Sequence, residues 1–442
     1  MTELSGHVPP HRPPYPFHPV IDSPRLIECA LVLKMFPKGP DEHDGTALSE
    51  EEFMKKYGPP PELLKKIRTW LTSSNIAIVK EDPFIFWCAA PMRTIAQTFQ
   101  MQFEAAYVDR HYYFEPLTNP KVPDDIAPYI SGIVGLENTS HLESFYRQPL
   151  NAPATNGHGF TPQMIASAYQ FPANLPIDSP APSVTLGILS LNNPGYRLED
   201  IQAFADSFDR QRPSVHYISL NNNSSSSHID TFSDNMALTA VIEWVHALMP
   251  RLETVIYDVN VCRCRCGQSH SLALLAALYG ALLHPTKRPD VLLMPFALAE
   301  SRIPSATLQA WDSIFAWSAL RGIPVIAPSG DNGAYGIEGP GQMIPHSVAP
   351  AVCPHVLAVG GTSLALDNSG HVLSETGWSN MQNNGASGGG LSQAFSAPLY
   401  QNATRQTIDT IQAYSRRGIP DVALNADPST GYAVLFHGEM FP

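Results

Sequence analysis

Cys262-Arg-Cys264-Arg-Cys266, with His270 close by, is the one local cluster in this chain that invites a metal. In an extended strand the three thiols would share one face, and soft thiolates suit zinc or copper(I). The C-x-C-x-C spacing lacks the two-to-four-residue gap of the common zinc motifs, and the flanking arginines equally favour reactive thiols. An incidental loop is the simplest reading, and no metal is expected. Gly385-Ala-Ser387-Gly-Gly389 matches the G-x-S-x-G nucleophile elbow, yet it follows a polar loop, residues 379–384, where that motif requires a strand. Asp331 sits in Ser-Gly-Asp-Asn-Gly just after an apolar run. Protonated, it could donate a hydrogen bond to an oxyanion; as a plain turn residue it would cap a glycine-rich loop. Asp234 and Glu243 are nine residues apart, more than two helical turns, and so do not make a carboxylate pair on one helix face. Glu243 reads as a solvated or structurally bonded helix residue.

These residues need a scaffold. Beyond residue 159, apolar runs at 184–189, 255–257, 291–294, 325–327 and 356–359 alternate with helical patterns at 198–208, 237–248, 272–283 and 308–320. That alternation predicts an α/β fold, a parallel sheet with helices on both faces. Residues 21–136 read differently. Short β-like runs at 28–35, 77–80 and 84–89 mix with helical ones at 49–53, 61–71 and 92–103, which predicts a compact α+β domain. Ser49 followed by Glu52 is a capping-box signature for the first helix. Residues 137–158 are polar and interrupted by Pro149, Pro153 and Gly157, the composition of a linker. Residues 1–20 are proline- and histidine-rich and are expected to be disordered. The domains are therefore 1–20, 21–136, 137–158 and 159–442.

The composition, 44% hydrophobic and 15% charged over 442 residues, is that of a globular chain long enough for two or three domains. A net charge of −13 lacks the clustered Lys and Arg that counterion release from phosphates requires, so nucleic acid is excluded as a partner. The longest nearly apolar run, residues 272–283, falls short of the ~20 residues a membrane span needs. Six cysteines are too few and too uneven for a disulfide framework. The first residues carry no apolar signal core, which leaves the location cytoplasmic or unassigned.

Five glycine-rich segments occur in one order: Ala327-Pro-Ser-Gly-Asp-Asn-Gly333, Pro354-His-Val-Leu-Ala-Val-Gly-Gly-Thr362, Glu375-Thr-Gly-Trp378, Ser387-Gly-Gly-Gly-Leu-Ser392 and Arg417-Gly-Ile-Pro-Asp-Val-Ala-Leu-Asn-Ala-Asp-Pro-Ser-Thr-Gly-Tyr432. Their order and wording resemble the sedolisins, the serine-carboxyl peptidases, of the kumamolisin-like branch. Upstream, Leu48-Ser-Glu-Glu-Glu52-Phe53 and Tyr57-Gly58 resemble the family's propeptide, and Thr161-Pro-Gln-Met-Ile-Ala-Ser-Ala-Tyr169 its first mature segment. The resemblance implies a subtilisin-like fold, acid serine-type endopeptidase or tripeptidyl-peptidase activity, and a propeptide removed at the linker.

By the same resemblance Asp331 takes the oxyanion position, and Gly388, Gly389 and Gly390 belong to the glycine-rich loop beside the substrate. The family's acid pair, a Glu and an Asp one helical turn apart, falls on Ala237 and Val241 when counted back from Pro250. Matching Met-Ala-Leu-Thr to the motif puts it on Asn235 and Thr239 instead. Neither register supplies a carboxylate. The family's nucleophile follows the segment after Tyr432, and the sequence ends at Pro442 before it, so a fold truncated at the C-terminus is expected; the family's calcium site would lie beyond as well, and no cofactor is expected. Gly360-Gly-Thr-Ser363 imitates the nucleophile turn, but Leu-Ala-Leu-Asp follows where a proline and a core helix belong. The family's substrate-lining strand end aligns with residues 292–300, where Pro295 lacks a donor and Ala297 and Leu298 add bulk, so peptide docking is expected to differ. A proteolytically inactive homologue is the leading expectation. A sedolisin fold reused for a small-molecule biosynthetic reaction, a binding or inhibitory pseudo-peptidase and an incomplete gene product are its rivals, with a peptide or small molecule as the ligand.

Overall fold

The protein is described from a computed structural model, over residues 1–20, 22–36, 46–140, 143–144, 159–171, 184–191, 196–220, 232–259, 269–335, 347–367, 369–380, 385–401 and 415–441. The three cysteines of the 262–266 cluster lie outside the described residues.

The N-terminal domain is built on a four-stranded antiparallel sheet in the order Ala77–Asp82, Ile85–Pro91, Leu26–Leu33, Ile130–Val134. Two helices, Glu50–Tyr57 and Pro61–Ser73, supply Phe53, Leu63, Ile67 and Leu71 to its core. The capping box forms as expected: Ser49 Oγ accepts from the Glu52 amide, and the Ser49 amide donates to the Glu52 carboxylate at 2.9 Å. The helix expected over 92–103 is shorter, Met92–Thr98. Gln100 takes a left-handed φ of 45°, the Met101 amide closes back on the Ala96 carbonyl, and the chain leaves as the strand Phe103–Val108. The aromatic and small residues of that strand gain more by pairing with His111–Pro116 than by a further helical turn.

Residues 1–20 are not the disordered tail that their composition suggests. Thr2–Glu3 pairs antiparallel with Lys121–Val122, and His18–Val20 pairs with residues 103–105. Prolines are excluded from ladder interiors because they lack a donor, but here they fall between the pairing residues or on an edge, where the ladder survives them.

The C-terminal body carries an eight-stranded sheet. Its order is Ser214–Ser219, Glu253–Val259, Thr185–Leu191, Val291–Leu293, Val325–Pro328, Val356–Leu366, Val372–Gly377, with Val422–Asn425 also pairing along Val356–Leu366. All pairs are parallel except the last hairpin, 356–366 with 372–377. Helices cover both faces, as a parallel sheet requires. Phe232–Leu248 lays Leu238 and Ile242 on Leu186, Ile188 and Ile256, while His270–Leu282 and Ser305–Leu320 pack on the other face around Leu292, Val325 and Val356. This is the α/β sheet with helices on both faces that the periodicity predicts.

The two regions share one apolar core, which runs from Ile27 and Phe53 through Leu275 and Trp311 to Val356. Phe53 meets Trp317 edge-on with ring centroids 6.0 Å apart, and Trp317 stacks on Tyr279 at 5.9 Å. The strand Ile130–Val134 lies so close on the helix Ser305–Leu320 that a Cβ at Gly132 would fall 2.3 Å from the Ala306 carbonyl oxygen. Residue 136 is thus no boundary in packing. Nor do residues 137–140 behave as a loose linker: the Glu137 carboxylate accepts from the Thr139 and Ser140 amides at 2.8 and 2.9 Å and from Ser271 Oγ at 2.7 Å.

Candidate functional site

The five glycine-rich segments converge at one end of the large sheet. The strand Val325–Pro328 runs into Ser329, whose amide donates to the Val359 carbonyl at 2.8 Å. Gly330 and Gly333 then adopt φ of 103° and 63°, left-handed conformations that turn the loop back on itself and place Asp331 between them. The loop is pinned to the Gly385–Gly390 segment. Ala386 donates its amide to the Asp331 carbonyl, Gly333 donates to the Ala386 carbonyl, both at 3.0 Å, and Gly388 donates to the Gly330 carbonyl. Ser329 Oγ donates to the Gly388 carbonyl at 2.8 Å. This approach leaves no room for a side chain, since a Cβ at Gly388 would lie 2.0 Å from the Ser329 carbonyl oxygen. Gly390 pairs with Ile419, and the amide of Trp378 reaches the Gly361 carbonyl at 3.1 Å. Asp331 is half-buried in the loop that is pinned to the segment leading into Gly388, Gly389 and Gly390.

Next to this loop cluster lies a wall strand, Phe296–Ala299, buried throughout. Leu298 and Ala299 pair with Val348–Ala349 on one side. On the other side Phe296 and Ala297 pair antiparallel with Ser144 and Glu143, a two-residue strand of the linker. An extended segment of the chain itself thus adds to the strand that the resemblance aligns with a substrate-lining one. Glu300, directly after the wall, was not anticipated: its carboxylate accepts from Ser392 Oγ at 2.6 Å and from the amides of Gln393 and Ala394 at 2.9 and 3.0 Å. Burial raises its pKa, and these donors hold it down in part. A lone Glu in an apolar stretch is its only sequence signal. It ties the wall to the segment that follows the cleft glycines.

The helix Phe232–Leu248 carries neither acid in either register. Ala237 is half-buried, Val241 packs against the sheet, Asn235 is buried, and the buried Thr239 hydroxyl donates back to the Asn235 carbonyl at 2.8 Å. Glu243 is buried, not solvated, and its Oε2 accepts the Leu435 amide at 3.1 Å. Burial pushes its carboxyl up to about 9, and the charge of Asp200 adds to that. Asp200 in turn accepts the His437 and Gly438 amides at 2.8 and 3.0 Å. Together the two acidic side chains hold the C-terminal hairpin, Val434–Phe436 with Glu439–Phe441.

Both imitation nucleophiles are engaged elsewhere. Ser387 Oγ accepts the Gly361 amide at 2.9 Å, and Ser363 Oγ donates to Asp427 at 2.7 Å, a carboxylate that also caps the short helix Pro428–Thr430. Among the described residues no group of three or more His, Cys, Asp or Glu side chains is arranged to hold a metal, and no helix is long and apolar enough to cross a membrane. A groove of about 1020 Å³, lined by Leu357, Leu391, Tyr400, Ile419 and Asp421 among others, opens beside Gly390.

Comparison with known proteins agrees with this geometry. Residues 38–139 match the family model for the pro-kumamolisin activation domain. Kumamolisin from Bacillus sp. (strain MN-32) is 28% identical over 408 residues, 90% of this chain and 71% of that protein. Sedolisin from Pseudomonas sp. (strain 101) is 24% identical over 425 residues, covering 90% of this chain and 67% of that one. The solved structure of Pseudomonas sedolisin, a serine-carboxyl proteinase complexed with pseudo-iodotyrostatin, superposes with a TM-score of 0.52 at 23% identity, over 64% of this chain and 75% of its own. The chain is a homologue of the kumamolisin–sedolisin peptidases, with their activation domain ahead of a sedolisin-like body.

Proposed function

We propose that this sedolisin-like chain binds extended peptides without hydrolysing them. The observation that carries the reading is the helix Phe232–Leu248. Acid serine-type hydrolysis needs a carboxylate to take the nucleophile's proton and a second to orient it, and the positions in question hold Ala237 and Val241 or Asn235 and Thr239. Glu243, two residues beyond Val241, is buried under the hairpin and bonded to Leu435. Asp331 keeps the oxyanion position, but an oxyanion donor without a base cannot start the reaction.

The binding half of the reading rests on the wall strand. Its pairing with Glu143–Ser144 is the strand addition by which clefts hold extended peptides, with backbone hydrogen bonds giving affinity and side-chain pockets selectivity. The linker occupies that edge in this state. After the linker is cut by an added, then inactivated, protease, a fluorescent peptide copying residues 140–147 should bind saturably and compete with unlabelled extended peptides. A protein that stays folded after cutting yet shows no saturable binding would overturn peptide recognition at this strand. A second reading, small-molecule binding on the same scaffold, draws on the groove beside Gly390.

A further inference from the structure

The residues read from sequence as a disordered tail cross the joint between the two regions and make contacts on both sides of it. Leu4 donates its amide to the Pro120 carbonyl at 2.8 Å, and the His7 amide donates to Asn119 Oδ1 at 3.0 Å, both on the activation domain. Gly6, with φ of 86°, is pressed so close to Ser305 that a Cβ would lie 2.3 Å from its Oγ, and its carbonyl accepts the Ala306 amide at 2.9 Å. The His11 amide donates to the Ser301 carbonyl at 3.0 Å. Ser301 and Ala306 belong to the turn and helix that follow the wall strand Phe296–Ala299.

At the centre of this crossing is His7, an imidazole 2% exposed. Its Nδ1 lies 2.8 Å from the Leu4 carbonyl and must carry the proton that it donates there. Its Nε2, 3.0 Å from the Ile133 amide, is therefore an acceptor. Only the neutral ring can do both. A second proton would set N–H against N–H and add a charge to a side chain shut away from bulk solvent. Arg12 adds a second tie: it pairs with Glu104 and, at 3.2 Å, with Glu115, two buried carboxylates directly opposite each other on adjacent strands. Further charged groups on the joined surfaces are the Met1 amine, Glu3 and His11 in the tail itself, Lys121 and Asp124 on the activation side, and Glu300 and Arg302 on the body.

We propose that residues 1–20 are an acid-released strap, in which protonation of His7 breaks its bond to Ile133 and frees the tail from the turn behind the wall strand. The direction follows from linkage. Burial lowers the His7 pKa to about 4, against 6.5 for an exposed histidine, so the freed tail binds the extra proton more readily. Strap stability is full above pH 6.5 and falls as the pH drops towards 4. Glu115, raised to about 7 chiefly by burial, has the opposite sign: the buried form holds its proton more readily than an exposed carboxyl, so its protonation as the pH falls offsets part of the His7 effect and does not add to it.

Hydrogen exchange of the full chain, with protection factors corrected for intrinsic rates, tests this directly. Between pH 7 and pH 4, protection of residues 1–20 and of the Ala306 and Ile133 amides should fall on the order of a hundredfold, while the strand Glu253–Val259 keeps its protection. His7→Gln, which offers an acceptor and a donor without titrating, should retain the strap at pH 4. Unchanged wild-type protection across this range overturns the proposal, as does equal loss in the glutamine variant. Glu115→Gln should leave most of the loss in place; if it alone abolishes the loss, the switch is not His7. Should His7→Gln fail to fold, the wild-type profile decides by itself, since a loss outside pH 6.5 to 4 or shared by Glu253–Val259 contradicts it.

Discussion

Buried ionisable side chains carry most of what is specific to this chain at the scale of single residues. Glu243 has a folded pKa of about 9 because burial penalises its charge, so the protein binds a proton there that the unfolded chain has released. Its contribution to stability is complete below pH 4.5 and is lost progressively as pH rises towards 9. Glu243→Gln should therefore leave stability little changed at pH 4 and flatten the decline between pH 5 and 8, as read by urea melts across that range. Arg417 is the opposite case, a buried cation held by two 2.6 Å bonds to Asp421 and by the carbonyls of Gly418, Ala351 and Val356. Arg417→Met removes one partner of that pair and should cost about 3–5 kcal/mol in a denaturant titration, most of it the stranded carboxylate. Neither role was legible in the sequence. Glu243 was readable as a helix residue, but its partner, Leu435, lies 192 residues downstream, and only the fold brings the hairpin over it.

Individual elements were more legible where their signal is local. The capping box at Ser49, the five parallel strands and the helices between them follow from periodicity and capping chemistry, which act over a few residues. The glycine segments were legible as a group by resemblance, and the reason for one of them is steric. Gly388→Ala would force a Cβ into the Ser329 carbonyl, so the Asp331 loop and the cleft segment must separate. That variant should melt at lower temperature and lose any saturable peptide binding, whereas Gly370→Ala, where a Cβ meets nothing within 4 Å and only the φ of 82° is strained, should shift the melt by less. Sequence failed at the tail and at residues 99–103. In both places tertiary strand pairing decides the conformation: composition argues for disorder in one and helical periodicity for a continued helix in the other.

For the molecule as a whole, the activation domain and the body share a core, and the consequence is cooperative folding. Trp317 touches Phe53 on one side and Tyr279 on the other, so Trp317→Ala opens a cavity between the regions. It should cost about 3–5 kcal/mol and split a single calorimetric transition into two. The central claim, however, concerns chemistry, and one assay addresses it most directly: turnover of an internally quenched peptide library by the purified chain at pH 4, before and after linker cleavage, beside Asp331→Ala. With no carboxylate at positions 235, 237, 239 or 241, turnover should stay at the level of the buffer blank in every sample. Turnover by the wild type that Asp331→Ala abolishes would contradict the account and return the chain to the active peptidases.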